Sequence, residues 1–418
     1  MPDWRVDIPS REELEVLQVE RLQVTLNRAY RQVKFYRRQF DDSRLKPDDI
    51  QDLSQLAKLP CTTREDLSRN YPYGLFAVPL REVVRIQSSP GATEKPVVVG
   101  YTAGDLRLWR ELSARLFRSA DVGKDDIVQI ILASGLNNWA RDLKDGAEHL
   151  GASVIPVSNL NFAKQLMVMR DYKTSVLVST PSYARHLVTV MDAMGLMASD
   201  MNLKRAILVA EPLSPAVRAD IEAGLRVQIS TAYGITEVLG PGLAFSCSHS
   251  DGFHFSEDHF LPEIIDPDSG KPRPFGTSGE LVITTLSSAA FPRLRFRTGD
   301  LTNLEPAACP CGCPLIRLGD IRGRCDQVFS VNGIKIHPHQ IAAAIREILD
   351  GHAPRHQLRL GHDGALAYLE VDIEVDESLF YDEVKCLEAI GRRLRRHLRE
   401  NLGIDSRVAL VEKISPAG

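Results

Sequence analysis

Four short stretches hold the residues whose types and spacing can do chemistry. Residues 88–96, "SSPGATEKP", join two apolar, strand-like runs (82–86 and 97–101). Small residues between strands leave backbone N–H groups free to cradle phosphate oxygens, although Glu94 sets a carboxylate among them. Residues 231–242, "TAYGITEVLGPG", follow a strand-like run, and residues 297–301, "RTGDL", place Asp300 in a turn. Taken singly, each has a plain explanation, because Gly-Pro turns join strands and loop carboxylates are usually solvated. The fourth signal is metal-like. Cys247 and His254 lie in "CSHSDGFH", and Cys309 and Cys311 in "CPCGC". Two ligand pairs on turn-forming stretches can close a tetrahedral sulfur/nitrogen site of the kind that holds zinc. His249 and Cys313 are alternatives that spacing leaves open. Three thiols in five residues would be an oxidation liability without a metal. Four protein ligands leave no open position, so the expected zinc is structural. Cys61, Cys325 and Cys386 read as inert small hydrophobes.

The elements that must position these residues follow from apolar periodicity. Leu14, Leu17, Leu22, Leu26, Ala29, Val33 and Tyr36 recur at helical spacing, which predicts one amphipathic helix over residues 11–40. Thr63 is a candidate N-cap for a short helix from Arg64. Buried-strand patterns at 127–132, "ASVIPV", "TSVLVST" and "RAILVAEP" alternate with helical ones, including "DLKDGAEHLG", 161–170 and 182–194. That alternation predicts an α/β fold with a parallel sheet covered on both faces. Beyond Thr231, short alternating strands between Gly and Pro turns predict an antiparallel or barrel-like subdomain. Beyond Arg324 the pattern becomes a strand pair, a helix at 338–349, two strands and a helix at 379–401, a small α+β unit. The expected division is a large domain over 1–325 and a small mobile one over 326–418. The basic run 392–396 reads as the solvated face of a helix that turns Ile390, Leu394 and Leu398 inward.

Composition sets the outer limits. A chain of 418 residues exceeds one compact core. It is 44% hydrophobic and 25% charged with a net charge of −4, so no basic excess points to nucleic acid. The polar N-terminus and the lack of an 18-residue apolar run give the cytoplasm as the expected location, without membrane partners. Seven cysteines in so long a chain do not suggest a disulfide scaffold.

Taken together and in order, the stretches resemble the adenylate-forming superfamily and, within it, the phenylacetate–CoA ligase family. "LPCTTREDLSRNYPYGLFAVP" (59–79), "PVVVGYT" (96–102), "STPSYARHL" (179–187), "AEP" (210–212) and "DGFHFSEDHFLPEIIDPDSG" (251–270) carry the resemblance. So do "GELVITTL" (279–286) and "GRCDQVFSVNGIKIHPHQI" (323–341). The resemblance implies activation of a small carboxylic acid by ATP, release of pyrophosphate, and passage of the acyl group from the acyl-adenylate to coenzyme A. Donors and Mg²⁺ must then wait where charge builds on the phosphate oxygens. It also implies site residues. Ser89, Gly91, Thr93 and Lys95 would form the triphosphate loop. Glu211 would border the adenine, and Tyr233 would lie against the base. Thr236 would bond the α-phosphate and Glu237 would bind magnesium. Asp300 would accept the ribose hydroxyls with Arg324 nearby, and Asp326 would be the hinge. One branch of the family carries structural zinc at the cysteine positions, and a homodimer would be unsurprising.

The chain departs from the family in three places. Aligned on Lys-Pro, the loop has Pro90, Ala92 and Glu94 where the family has Ser, Thr and Gly. Two hydroxyl donors are gone, and a carboxylate near phosphate would repel it by roughly 1–4 kcal/mol. Lys413 precedes the place of the family's terminal lysine, so adenylation is expected to lack that cation. Trp139, Arg141, Lys144 and Asp145 make the expected acyl wall bulkier and more charged, which points to an acid more polar than phenylacetate. The first reading is therefore an AMP-forming acid–CoA ligase. The alternatives are a paralogue that binds nucleotide or acyl ligand without adenylating it, and an adenylating enzyme independent of coenzyme A.

Overall fold

The computed structural model describes residues 8–89, 97–133, 136–155, 161–238, 240–247, 250–306, 308–325, 329–349, 354–364, 366–374 and 384–411. The opening amphipathic run is two helices rather than one. Ser10 and Glu13 form a capping box for Arg11–Gln32, and Val33 breaks the run in an extended conformation (φ −112°, ψ 110°) before Lys34–Asp42. Valine is β-branched and tolerates that geometry. The break lets Tyr36 and Phe40 bury beside Leu22 and Leu26 in one apolar cluster with Phe260, Leu281 and Phe296.

A nine-stranded sheet forms the spine. Ser153–Ile155, Ile127–Ile131, Val176–Ser179, Arg205–Val209 and Gln228–Ile235 run parallel in that spatial order. Gly240–Cys247, Ser250–Phe255, Arg317–Leu318 and Leu304–Glu305 continue it antiparallel. The expected α/β alternation is present: Asn137–His149, Phe162–Asp171, Pro181–Ala193 and Pro215–Leu225 fill the crossovers between the parallel strands. Side chains fix their starts, with Asn161, Thr180 and Ser214 capping the last three helices. Strands buried on both faces read as largely apolar runs, and all four residues of Val176–Ser179 are buried, three of them apolar.

The antiparallel region expected beyond Thr231 is shared between the flank of this sheet and a second, four-stranded antiparallel sheet. Its order is Phe260–Ile265, Gly279–Thr285, Phe296–Thr302 and Gly323–Arg324. A separate hairpin, Arg85–Ser89 with Val97–Tyr101, brackets residues 90–96. The C-terminal part carries the hairpin Phe329–Val331/Ile334–Ile336, the helices Pro338–Ile348 and Val384–His397, and a sheet of His356–Asp363, Leu366–Glu374 and Ser406–Val411. It has its own core, in which Leu394 and Leu398 are fully buried and Ile390 packs alongside, while Arg392 is exposed. The basic run is a solvated helix face. Among the described residues no helix is long and apolar enough to cross a membrane.

Tyr36 ties the N-terminal helices to the strand that leads to Asp300. Its Oη donates to the Pro292 carbonyl (3.3 Å) and accepts from the Leu294 N–H (3.2 Å) in a fully buried setting. Tyr36→Phe orphans that N–H. We expect a loss of about 1–3 kcal/mol, read as a lower urea midpoint at unchanged m-value.

Candidate active site

The motif residues converge on one carboxylate. Asp300 lies in Phe296–Thr302, and its backbone turns at Gly299 (φ 80°), whose N–H donates to Glu280 Oε1 at 3.0 Å. The Asp300 N–H donates to Thr298 Oγ1 at 3.0 Å. The carboxylate is 3% exposed and gathers donors from three elements. Tyr233 Oη, from the central sheet, donates to Oδ2 at 2.7 Å. Arg324, opposite Asp300 in the strand register, donates to Oδ1 and sends Nη2 to the Thr298 carbonyl at 3.0 Å. Lys335 Nζ, from the small C-terminal hairpin, stands 3.7 Å from Oδ2. Burial first, and then the Asp300 charge, push the Tyr233 hydroxyl well above its ordinary pKa, so it remains a donor.

Thr236 and Glu237 occupy the turn that leaves Gln228–Ile235, both half-buried. Gly234 makes this turn sterically possible, since a Cβ there would lie 1.9 Å from the Gly240 carbonyl oxygen. Glu237 is paired with Arg64 Nε at 2.9 Å, both side chains being nearly buried (12% and 10% exposed). Arg64 starts the helix Arg64–Arg69, capped as expected by Thr63 in a box with Asp66. Its Nη2 reaches the same Thr298 carbonyl as Arg324, at 3.0 Å. Burial alone would raise the Glu237 pKa, but the Arg64 and Lys335 charges outweigh it and hold the value down at about 2.

The other sequence-predicted residues are placed as follows. Ser89 ends the strand Arg85–Ser89 opposite Val97. Gly91, Thr93, Lys95, Glu94, Asp326 and Lys413 lie outside the described residues. Glu211 accepts from Ser182 N–H (2.9 Å) and Oγ (2.7 Å) at the start of Pro181–Ala193, and burial raises its pKa. The expected acyl wall is corrected in part. Arg141 points to solvent, and Lys144 pairs with Glu148 at 2.8 Å on the surface. The residue buried beside Trp139 is instead Asp142, one turn on. Asp142 Oδ1 accepts from Arg85 at 2.7 Å, and burial lifts its pKa to about 7. Sequence reasoning also missed Arg64 and Lys335. Arg64 follows the recognised N-cap, and Lys335 lies in a quoted motif, but neither showed its partner.

The cysteine cluster forms. Cys247, His254, Cys309 and Cys311 bring four ligand atoms within 4.8 Å of one another. Cys247 Sγ is 3.6 Å from Cys309 Sγ, and Cys311 Sγ is 3.3 Å from His254 Nε2. Zinc–sulfur bonds of about 2.3 Å give tetrahedral edges of about 3.8 Å, so the donor set and spacing fit zinc. Cys313 instead donates its backbone N–H to Cys311 Sγ at 3.4 Å. His249 lies outside the described residues. Cys61 is half-buried, whereas Cys325 is exposed rather than packed as a core hydrophobe; the side chain of Cys386 lies outside the described residues.

Comparison with known proteins fits this arrangement. The family described as AMP-binding enzyme matches residues 146–289, and the AMP-binding enzyme C-terminal domain matches residues 333–416. The phenylacetate–coenzyme A ligases of Thermus thermophilus and Escherichia coli are each 38% identical to this chain. The first alignment covers 96% of this chain and 93% of the relative, and the second 97% and 92%. The chain belongs to the phenylacetate–CoA ligase family. Its activity class is that of an AMP-forming acid–CoA ligase. Among solved structures, 2-hydroxyisobutyryl-CoA ligase with 2-HIB-AMP and CoA in the thioesterification state has a TM-score of 0.90 at 25% identity. That match covers 99% of this chain and 89% of the other. The same ligase in the postadenylation state with 2-HIB-AMP gives 0.71, at 24% identity and 98% and 88% coverage. This phenylacetate–CoA ligase family member superposes better on the former than on the latter.

The Glu237–Arg64 pair has a pH signature. The folded-state pKa of about 2 lies below the ordinary 4.5, so the pair stabilises the fold above pH 4.5 and the contribution is lost as pH falls toward 2. Arg64→Met should cost about 3–5 kcal/mol near pH 7 by leaving a buried carboxylate without its closest cation. In urea unfolding of both proteins from pH 7 to pH 3, the gap should narrow at the acid end. A gap constant across that range would dissociate Glu237 from the effect.

Proposed function

We propose that this chain activates a polar carboxylic acid with ATP and transfers the acyl group to coenzyme A at the Asp300 site. The observation that carries the reading is the convergence of Tyr233, Arg324 and Lys335 on buried Asp300, with Glu237 beside them. In the first step a carboxylate oxygen attacks the α-phosphorus, the bond to the β-phosphate oxygen breaks, and pyrophosphate leaves. In the second the coenzyme A thiolate attacks the acyl carbon and AMP leaves. Asp300 accepts the ribose hydroxyls, and Tyr233 and Arg324 hold it for that task. The hydroxyl of Thr236 donates to the α-phosphate. Glu237, kept ionised by Arg64, is the carboxylate that would hold Mg²⁺, which supplies charge neutralisation on the phosphates when bound. Ser89, Gly91, Thr93 and Lys95 complete the phosphate loop, and Glu211 borders the adenine.

The named relatives act on phenylacetate, and the structural neighbour on 2-hydroxyisobutyrate. The wall beside Gly240 favours a polar acid here. Trp139 Nε1, Asp142 Oδ2 and Gln87 Nε2 are buried without hydrogen-bond partners among the described residues. Trp139 Nε1 lies 3.5 Å from where a Gly240 Cβ would stand, and Gln87 Oε1 accepts from Tyr101 Oη at 3.2 Å. Buried donors and acceptors left open are costly unless a ligand or water meets them. A hydroxylated acid meets both kinds. We further propose residues 1–325 as a large domain and 326–418 as a small one that turns about Asp326, with the present pose suited to thioester formation.

The assay is acid-dependent release of pyrophosphate from ATP, with and without coenzyme A, over paired acids that differ by a hydroxyl. Asp300→Ala should lower kcat/KM for ATP by roughly a hundredfold or more. ATP binding by calorimetry comes first, and its absence in folded protein would sink the reading. Turnover that is indifferent to coenzyme A would move the function to an adenylating enzyme that stops at the acyl-adenylate.

We also propose a structural zinc on Cys247, His254, Cys309 and Cys311, pinning the 305–317 connection to the end of the central sheet. Metal analysis should find one zinc per chain. Cys309→Ala should lose it and lower the melting temperature while leaving nucleotide affinity unchanged.

A further inference from the structure

The outward face of the helix Arg11–Gln32 borders a groove of about 490 Å³, within the size range of small-ligand sites. Gln23, Asn27 and Arg31 stand four residues apart along it, with Arg28 in the adjacent row, and Ala77 lines the facing wall. None of these residues takes part in the chemistry assigned to Asp300. Both walls are anchored to one segment of chain. Thr25 Oγ1, on the buried side of the helix, donates to the Leu286 carbonyl at 3.0 Å, and the Ala77 N–H donates to the Ala290 carbonyl at 2.9 Å. Two lining side chains are held as well: Gln23 Nε2 donates to the Ile50 carbonyl, and Asn27 Nδ2 to the Gln23 carbonyl at 3.1 Å. The groove is thus formed before any ligand arrives, which lowers the ordering cost of binding.

Its charge is one-sided. Arg28 is half-buried and Arg31 exposed, and no carboxylate is among the described residues that line the groove. Neither guanidinium has an ion pair or hydrogen bond among the described residues. Neighbouring cations are placed differently: Arg21 reaches the Asp258 carbonyl, Arg38 pairs with Asp42 at 3.5 Å and Lys46 with Asp41 at 3.0 Å. Arg31 is not engaged at the helix end either, because Arg37 meets the carbonyls of Tyr30 (3.1 Å) and of Arg31 itself (2.5 Å). Like charges three residues apart on one helix face repel, and a bound anion would offset that. We propose that this groove is a second ligand site that takes a small organic dianion, a phosphate monoester or a dicarboxylate, on Arg28 and Arg31. A guanidinium fork matches two oxygens of either group. Val24, which is 57% exposed, and Ala77 give the ligand a short apolar surface beside the cations. Two cations on a chain of net charge −4 do not suit an extended polyanion.

The test is calorimetric titration of the full chain at low ionic strength with succinate and, separately, with glycerol phosphate, which tells the two sources of the dianion apart. At least one should bind saturably, with one equivalent per chain. Arg28→Met combined with Arg31→Met should weaken that binding at least tenfold and leave acid-dependent pyrophosphate release unchanged. Arg31→Met alone carries the comparison if the double variant does not fold. Arg38→Met, which removes a nearby exposed arginine outside the groove, should leave the affinity within twofold of wild type. No saturable binding of either probe would overturn the proposal. Binding that survives the double substitution would place the anion elsewhere and overturn it too, as would equal weakening by Arg38→Met, the mark of a general charge effect. Turnover lost together with probe binding would end the groove's standing as a separate site. Neither probe is a nucleotide, so these outcomes do not depend on whether the Asp300 site uses ATP.

Discussion

One buried carboxylate, that of Asp300, draws together side chains from distant parts of the chain. Asp300 is buried, so the fold must supply its partners, and it does so from three elements that are distant in sequence. Tyr233 comes from the parallel spine, Arg324 from the edge of the four-stranded sheet, and Lys335 from the C-terminal hairpin. Buried charge is tolerated only when paired and hydrogen-bonded. The need to satisfy one carboxylate therefore fixes where two sheets and the small C-terminal part meet. The Thr298 carbonyl has a smaller version of the same duty, accepting from Arg64 and Arg324.

Charges of both signs are packed closely around this point. Arg64, Arg324 and Lys335 stand among Asp300 and Glu237, each carboxylate having a close cation. In the proposed reading such prearranged charges would need no reorganisation as phosphate oxygens become more negative, which is where preorganised sites gain most. Trp139 and Asp142, one turn apart on a helix, each bury a polar atom without a hydrogen-bond partner among the described residues, and in the proposed reading these atoms would face the acyl group.

Much of this was legible in the sequence, for physical reasons. The parallel spine announces itself because strands buried on both faces are largely apolar, as Val176, Leu177 and Val178 are. Thr63 announces a helix because its side chain satisfies an N–H that the helix cannot. The cysteine pairs were legible because thiols are rarely crowded without cause, and Cys247, His254, Cys309 and Cys311 lie together among the described residues. What escaped was pairing across distance. Arg64 and Glu237 are 173 positions apart and Arg85 and Asp142 are 57, so no local pattern links them. Arg141 misled for a related reason: on an amphipathic helix one step along the chain turns a side chain by about 100°, and the buried member is Asp142. The break at Val33 was likewise set by the tertiary core rather than by propensity, since the apolar spacing continues through it.

The C-terminal hairpin meets the large part of the chain through Gly333. This residue sits at φ 84°, and a Cβ there would lie 3.1 Å from both Ala210 Cβ and Leu136 Cδ1. The contact is made by bare backbone, so its closeness is bought with the absence of a side chain. A single methyl at this point would act as a doorstop, holding the small part a few tenths of an ångström off its seat. Lys335, two residues on, would be drawn back from Asp300 with it. A residue with no functional group of its own thereby sets how near Lys335 comes to Asp300.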